Sequence, residues 1–388
     1  VAGPGAKTGP LAGLVVIEMA GLGPVPLAGL MLAEMGARVV RIERLAAERA
    51  FLKVPDAFDL DRHGREILHV DLKKKEGVAL VARLAAAADI LIEGFRPGVM
   101  ERLGLGPDVL LTANPRLVFG RMTGFGQDGP LAARAGHDLT YLARTGALAA
   151  IGPAGGRPVP PLNLVADYGG GTMFLLTGVL AAIVERSMSG RGQVVDAAMI
   201  DGASMLAAPF FGFLATGFWK EKRGANLLDS GAPFYDTYET SDGRHVAVAC
   251  LEPQFFAEFA RLLPLGEPFA SAQYDMANWP AMRDAIAARF REKSRDEWSA
   301  LFDATDACVA PVLAFSEASA DPHNVDRATH VKVGSLTRPA PAPRFARTPS
   351  APSAPHTVSA DAARATLEGF GLDTGEIGEL ARNGVIGA

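Results

Sequence analysis

Strand and helix signals alternate through the first third of the chain, and that alternation leaves few folds open. Residues 14–17 are a short β-branched run, and a Gly/Pro-rich bend follows from Gly21 to Pro26. Residues 27–35 read as a helix stopped by Gly36, and 39–42 as the next strand. Residues 77–88 are an Ala-rich helical stretch, while 90–92 and 117–119 are further strands. Strands alternating with helices predict an α/β fold, a parallel sheet covered on both faces.

A second pattern begins near Gly231. Residues 235–240 and 245–249 flank Ser241-Asp242-Gly243, a turn with Gly where positive φ is often needed, so the pair reads as a hairpin. Helical spacing follows at 254–263 and 279–290. The stretch 338–356, rich in Pro, Ala and Ser, reads as an extended connector before helical segments at 360–370 and 374–382. The most apolar run, 173–184, is shorter than the roughly 20 residues of a bilayer span, so a buried core helix and no membrane partner are expected. A net charge of -5 argues against a polyanion binder, nucleic acid included. Only Cys250 and Cys308 occur in 388 residues, which points to a reduced intracellular protein without a disulfide framework. Residues 1–10 lack the apolar segment of a secretory leader, and the expected location is cytoplasmic.

Two motifs imitate ligand sites. Gly21-Leu22-Gly23-Pro24-Val25-Pro26 follows a strand, opens a helix and has Glu43 about 20 residues further on, close to the dinucleotide fingerprint. Pro26, however, stands where that fingerprint wants a small residue for close helix–strand packing. A bent loop with Pro pre-set for the first helical turn is the better reading. Asp59-x-Asp61-x-His63-Gly64 begins like a calcium loop, but Val70 stands where the bidentate Glu is due. The seven histidines show no metal-binding spacing, so no metal site is expected.

Several strings follow one another in order. They are Gly94-Phe95-Arg96-Pro97-Gly98, the glycine-rich stretch 122–130, Gly136-His137-Asp138-Leu139-Thr140-Tyr141, and Asp167-Tyr168-Gly169-Gly170-Gly171. Further on come Gly192-Gln193-Val194-Val195-Asp196, leading to Met199-Ile200-Asp201-Gly202, and Asp306-Ala307-Cys308-Val309-Ala310-Pro311. Together they resemble the signature of the α-methylacyl-CoA racemases of the class III CoA-transferase superfamily, from Pro10 to Pro343.

The resemblance implies a Rossmann-like large domain built from both chain ends plus a smaller α+β domain. It also implies two copies interlocked as a homodimer, with the active site between one copy's large domain and the other's small one. By the same resemblance, 9–200 is the N-terminal part of the large CoA-binding domain, 201–230 linker helices and 231–325 the small domain. A return linker and the C-terminal part of the large domain fill 326–388. The implied catalytic residues are His137, Asp167 and Glu252, with Asp138 contributing its backbone N–H. The implied CoA contacts are Arg44, Val70, Asp71, Leu72, Lys73, Gly94, Phe95, Arg96, Arg102 and the loop Gly136, His137, Asp138, Leu139, Thr140 and Tyr141. Residues 60–66 depart from the family's Arg/Lys-rich run by placing Asp61 and Glu66 beside Arg62 and Arg65. No cofactor is implied beyond the CoA of an acyl-CoA substrate.

The chemistry explains those residue types. Inverting a carbon beside a thioester means removing its α-proton from one face and returning a proton to the other. An imidazole and a carboxyl suit that task, with reference pKa values of about 6.5 and about 3.9. Neutral His137 with protonated Asp167 would accept one epimer, and imidazolium with ionised Asp167 the other. The first state requires a raised Asp167 pKa, from burial or nearby acids. Glu252 would orient the imidazole, and N–H groups at the helix start after Gly136 would receive the enolate oxygen.

Taken singly, each residue has a blander explanation. His137 reads as a cap, Asp167 as a turn residue before three glycines, Glu252 as a helix start, and Arg96 and Arg102 as solvated charges. Met173, Met188, Met199 and Met205 suit an adaptable acyl surface, with core filling expected for at least half of them. Competing functions are a CoA-transferase with Asp167 as nucleophile, a CoA-binding protein without catalysis, and a nicotinamide oxidoreductase. His137 weighs against the first.

Overall fold

The computed structural model describes residues 8–45, 54–356 and 359–387. The chain forms two compact units. The first draws on the chain up to Thr145, on Leu162–Leu206 and on the chain from His323; the second on Gly146–Pro161 and Ala207–Pro322.

The first unit opens with β1 (Val15–Met19), α1 (Pro24–Glu34), β2 (Arg38–Glu43), β3 (Arg65–His69), α2 (Lys75–Ala86), β4 (Ile90–Glu93) and β5 (Val118–Thr123). Then come the short α3 (Asp138–Leu142), α4 (Met173–Ser189), β6 (Val194–Ala198) and α5 (Met199–Leu206). The six strands form one parallel sheet in the order β3-β2-β1-β4-β5-β6. Ile17 lies beside Val40 on one side and Leu91 on the other, and all three are fully buried. Such strands suit a sheet covered on both faces, where each buried aliphatic side chain contributes about 1.5–3 kcal/mol. Strand order reverses between β1 and β4, so a crevice is expected at their carboxyl ends. The loops leaving those ends carry Gly21–Gly23 and Gly94.

Helix α1 begins at Pro24, whose missing N–H costs nothing in a first turn. The helical stretch Leu164–Ser189 is long and apolar enough to cross a membrane by length and composition alone. Here its buried face, Leu175, Leu176, Val179 and Ala182, packs inward, with Leu175 and Val179 lying over Gly120 of β5.

Residues late in the chain complete this unit. Leu367, Ile377, Val385 and Ile386 share a core with Leu80 and Leu84 of α2. The Asp71 N–H donates to the Val385 carbonyl at 2.8 Å, and Val70 pairs with Ile386. The strand Leu336–Pro339 pairs antiparallel with His330–Val333, so the connector expected at 338–356 begins inside a hairpin. From that hairpin Arg338 reaches Glu34, whose Oε1 also accepts the Ser353 N–H at 3.1 Å.

The second unit holds an antiparallel sheet of β7 (Tyr235–Glu239), β8 (His245–Ala249) and β9 (Val309–Pro311). The expected hairpin closes with the Thr240 N–H donating to the Arg244 carbonyl at 2.9 Å. Its core gathers Phe234, Phe256, Phe259, Phe290, Trp298 and Phe302, and the buried Trp298 indole donates to the Phe290 carbonyl at 2.8 Å. Residues 146–161 join it through Arg223, which donates to the carbonyls of Ala149 and Gly156.

Candidate active site

Asp167 lies within a π-helical stretch, Leu164–Thr172, that runs directly into α4. A π-turn is wider than an α-turn and is held by its neighbours rather than by intrinsic preference. Glycines allow that support: a side-chain carbon on Gly202 of α5 would stand 1.9 Å from the Gly170 carbonyl oxygen, so the two backbones pack face to face. The Thr172 hydroxyl donates to the Pro24 carbonyl at 2.8 Å, tying the stretch to the start of α1.

His137 is the N-cap of α3 and Asp138 is its first residue. The His137 N–H donates to Thr140 Oγ1 at 3.0 Å and the Thr140 N–H to the His137 carbonyl at 2.8 Å, leaving the imidazole exposed. The Asp138 side chain turns inward. Its Oδ2 accepts the N–H groups of Ala166 and Asp167, both at 2.8 Å, while its Oδ1 is buried without a partner among the described residues. Residues 137 and 167, far apart in sequence, are therefore joined through one carboxylate.

Burial raises the pKa of Asp167 above the ordinary range. The hydrogen bond from Asn163 Nδ2, 3.3 Å from Asp167 Oδ2, opposes that shift; Asp138 reinforces it, and His137 opposes it. The Tyr141 ring packs edge-on to Phe125 at 4.9 Å. Burial raises its phenol, Asp167 adds to the rise and Arg96 opposes it, so Arg96, Tyr141 and Asp167 share one electrostatic neighbourhood.

Most of the expected CoA contacts leave the carboxyl ends of neighbouring strands: Arg44 after β2, Val70, Asp71, Leu72 and Lys73 after β3, and Gly94, Phe95 and Arg96 after β4. Arg44, Arg96 and Arg102 are exposed, and their side chains make no hydrogen bond or ion pair among the described residues. That contrasts with Arg62 and Arg65, which are buried and paired with Glu43 and Glu18, so the charges of 60–66 serve the fold. Val70 is buried, Leu72 and Phe95 pack against the core, and the Asp71 carboxylate accepts the Lys73 N–H at 3.0 Å. Lys73 and Lys75 are exposed and their ammonium groups have no hydrogen bond or ion pair among the described residues, whereas Lys74 donates to the carbonyls of Asn383 and Gly384.

A family model described as CoA-transferase family III matches residues 11–361. The chain belongs to CoA-transferase family III. This family III chain is 43% identical over 385 residues to the alpha-methylacyl-CoA racemase of Mus musculus, with 97% of each chain covered. It is 40% identical over 380 residues to the alpha-methylacyl-CoA racemase of Homo sapiens, again with 97% of each covered. Among solved structures, a CAIB/BAIF family protein from Brucella suis matches with a TM-score of 0.79 at 25% identity, covering 94% of this chain and 100% of that one.

Glu252 belongs to the second unit of this family III chain. It is the exposed N-cap of α6 (Pro253–Leu262) and, after burial, adds to the upward shifts of Tyr274 and Cys308. Of the four methionines, only Met199 fills the core; Met173, Met188 and Met205 are exposed, which corrects the expectation of core filling for at least half. A long apolar side chain at a helix surface position has no sequence mark that separates it from a core one. Sequence reasoning also missed Asn163, although its spacing to Asp167 is one helical turn, and Gly23, where a side-chain carbon would lie 3.4 Å from Asp167 Oδ2.

Proposed function

We propose that the protein epimerises the α-carbon of 2-methylacyl-CoA thioesters by proton transfer through an enolate. The observation that carries this reading is the pairing of an exposed imidazole with a carboxyl whose pKa burial raises. One group takes the α-proton while the other delivers a proton to the opposite face, so each turnover leaves the pair in the protonation state that serves the other epimer. The N–H groups of Asp138 and Leu139 have no acceptor among the described residues and suit the enolate oxygen. The arginines Arg44, Arg96 and Arg102 with Lys73 suit the CoA phosphates, and the exposed methionines an adaptable acyl surface.

In this reading the enzyme works as a homodimer in the cytoplasm, with Glu252 orienting the imidazole in the assembled dimer. A transferase would instead use Asp167 as an ionised nucleophile, and burial of that carboxyl works against the ionised form. The test is to incubate each pure epimer of a 2-methylacyl-CoA in deuterium oxide. Deuterium at the α-carbon together with loss of optical purity supports the proposal. Acyl transfer to a free carboxylic acid without exchange would sink it.

A further inference from the structure

Asp138 follows the exposed imidazole of His137 directly, yet its own side chain points the other way, into the protein, with 5% of its surface exposed. There it takes both N–H groups at the Asp167 peptide region, from Ala166 and Asp167 itself. Ala166 and Asp167 stand in the first turn of the π-helical stretch, where N–H groups have no partner within the helix, so this carboxylate is what satisfies them. One oxygen of this side chain accepts two N–H bonds while the other is buried without a partner among the described residues.

We infer that Asp138 is a positioning residue for the proton-transfer pair: its carboxylate clamps the backbone of Asp167 at a fixed offset from His137 and holds negative charge beside the Asp167 carboxyl. The inference rests on the epimerase reading above. The clamp sets distance, because the ends of the link are adjacent residues of α3 on one side and the Asp167 amide on the other. The charge sets balance, because a second carboxylate nearby disfavours ionising Asp167, in agreement with the direction of its shift.

The other groups around Asp167 do not duplicate this. Asn163 donates to its carboxyl, and His137 opposes the rise in its pKa. Tyr141 and, beyond it, Arg96 come from the α3 side and the β4 loop. Tyr168 is the other titratable group on the π-helical stretch. The α1 segment that meets it is Gly23, Pro24, Val25 and Pro26, with no titratable side chain. The one acid of α5, Asp201, is exposed and acts on Asp196 instead.

Two substitutions separate clamp from charge. Asp138→Asn keeps a carbonyl that accepts both N–H groups but removes the charge; Asp138→Ala removes both. Hydrogen exchange by mass spectrometry on the ligand-free protein reads the clamp: the peptide containing Ala166 and Asp167 is expected to exchange at least about tenfold faster in Asp138→Ala and to stay protected in Asp138→Asn. The pH dependence of kcat/KM for α-proton exchange reads the charge. Without a neighbouring negative charge Asp167 ionises more easily, so the singly protonated pair survives to lower pH. The acid limb in Asp138→Asn is then expected to move down by about one unit, the low end of the shift that a charge within about 4–6 Å produces. In Asp138→Ala, kcat is expected to fall by about 10²-fold with KM for the thioester little changed, since the basic groups proposed for the CoA phosphates and the residue 138 N–H are retained.

An acid limb that does not move in a folded Asp138→Asn, or unchanged amide exchange in Asp138→Ala, would overturn the proposal. If the unsubstituted enzyme exchanges no α-proton, the epimerase reading fails and takes the charge argument with it, while amide exchange still judges the clamp.

Discussion

Gly23 stands against Asp167: a side-chain carbon on Gly23 would be 3.4 Å from Asp167 Oδ2, and its φ of +74° is a conformation that L side chains rarely adopt. Gly23→Ala therefore meets two penalties. The left-handed backbone costs an L-residue about 1–2 kcal/mol, and the methyl group displaces water from one side of the carboxyl. The expected outcome is a Tm lowered by a few degrees and an acid limb of the exchange profile moved to higher pH. A profile that stays put while the Tm falls would mean that Gly23 serves the fold alone.

Substituting the two proposed bases should break the reaction asymmetrically. His137→Ala is expected to lose α-proton exchange from one epimer by about 10²–10⁴-fold and to retain residual exchange from the other, with Asp167→Ala showing the opposite preference. Net epimerisation should collapse in both. Glu252→Gln should do less harm, because it removes an orienting charge rather than a proton carrier. The readout is deuterium at the α-carbon from each pure epimer; full activity in His137→Ala would end the epimerase reading.

Basic residues of similar sequence context should divide by their surroundings. Arg96→Ala and Arg102→Ala are each expected to weaken CoA binding by about tenfold, as a charge-assisted bond to phosphate is worth roughly 1.5–3 kcal/mol. Lys74→Ala should leave affinity alone and lower thermal stability, since its ammonium is already spent on the Asn383 and Gly384 carbonyls. Calorimetric titration with CoA beside a thermal melt separates the two effects.

Glu93 gives a pH dependence of stability. It is buried at the end of β4, where its carboxylate accepts from Arg121 Nε at 3.1 Å and the Phe95 N–H at 2.7 Å, yet burial pushes its pKa up to about 7 from 4.5. Arg121 keeps a second carboxylate partner in Glu101. A raised carboxyl pKa means that the folded state binds the proton more tightly, so stability is fullest below the unfolded value and falls as pH rises through about 7. The loss attached to this one group is on the order of 3 kcal/mol between those limits. Glu93→Gln should flatten the dependence between pH ~4.5 and ~7.5 in denaturant titrations. An equally steep profile in the variant would assign it to other groups.

The helix Ala208–Ala215 has no buried residue, and Phe211 within it and Phe218 just beyond it are more than half exposed. A contiguous apolar surface of this kind calls for a partner, and a second copy is the occupant the proposed function requires. The protein is expected to sediment as a dimer that does not separate at nanomolar concentration. A compact folded monomer under those conditions would remove the dimer from the proposal.

Much of the architecture was legible because it rests on local patterns. The apolar runs at β1, β2 and β4, the turn at Gly243, and the helices Trp279–Phe290 and Thr374–Arg382 all stand where periodicity puts them. Strands β3 and β6 escaped that reading because charge interrupts them: Arg65 and Glu66 lie in β3 and Asp196 in β6. Arg65 is tolerated there because Glu18 and the Pro26 carbonyl meet it, contacts no local window contains. The candidate site could be read from the sequence only as residue types in order. What joins them was not: the Asp138 side chain, Asn163 and the π-turn owe their roles to tertiary packing, and Asp167 read alone looked like an ordinary turn residue.

The loop that carries Val70 to Lys74 is finished by residues near Gly384, with Lys74 and Asn383 309 positions apart. On the ribosome this has an ordering effect. The second unit has all its segments once Pro322 has emerged, whereas the first stays open, its loop after β3 without the Ile386 bridge and the carbonyls that close it, until the last helices are made. A nascent chain thus has every segment of its aromatic-rich unit before the loop from Val70 to Lys74 can be closed.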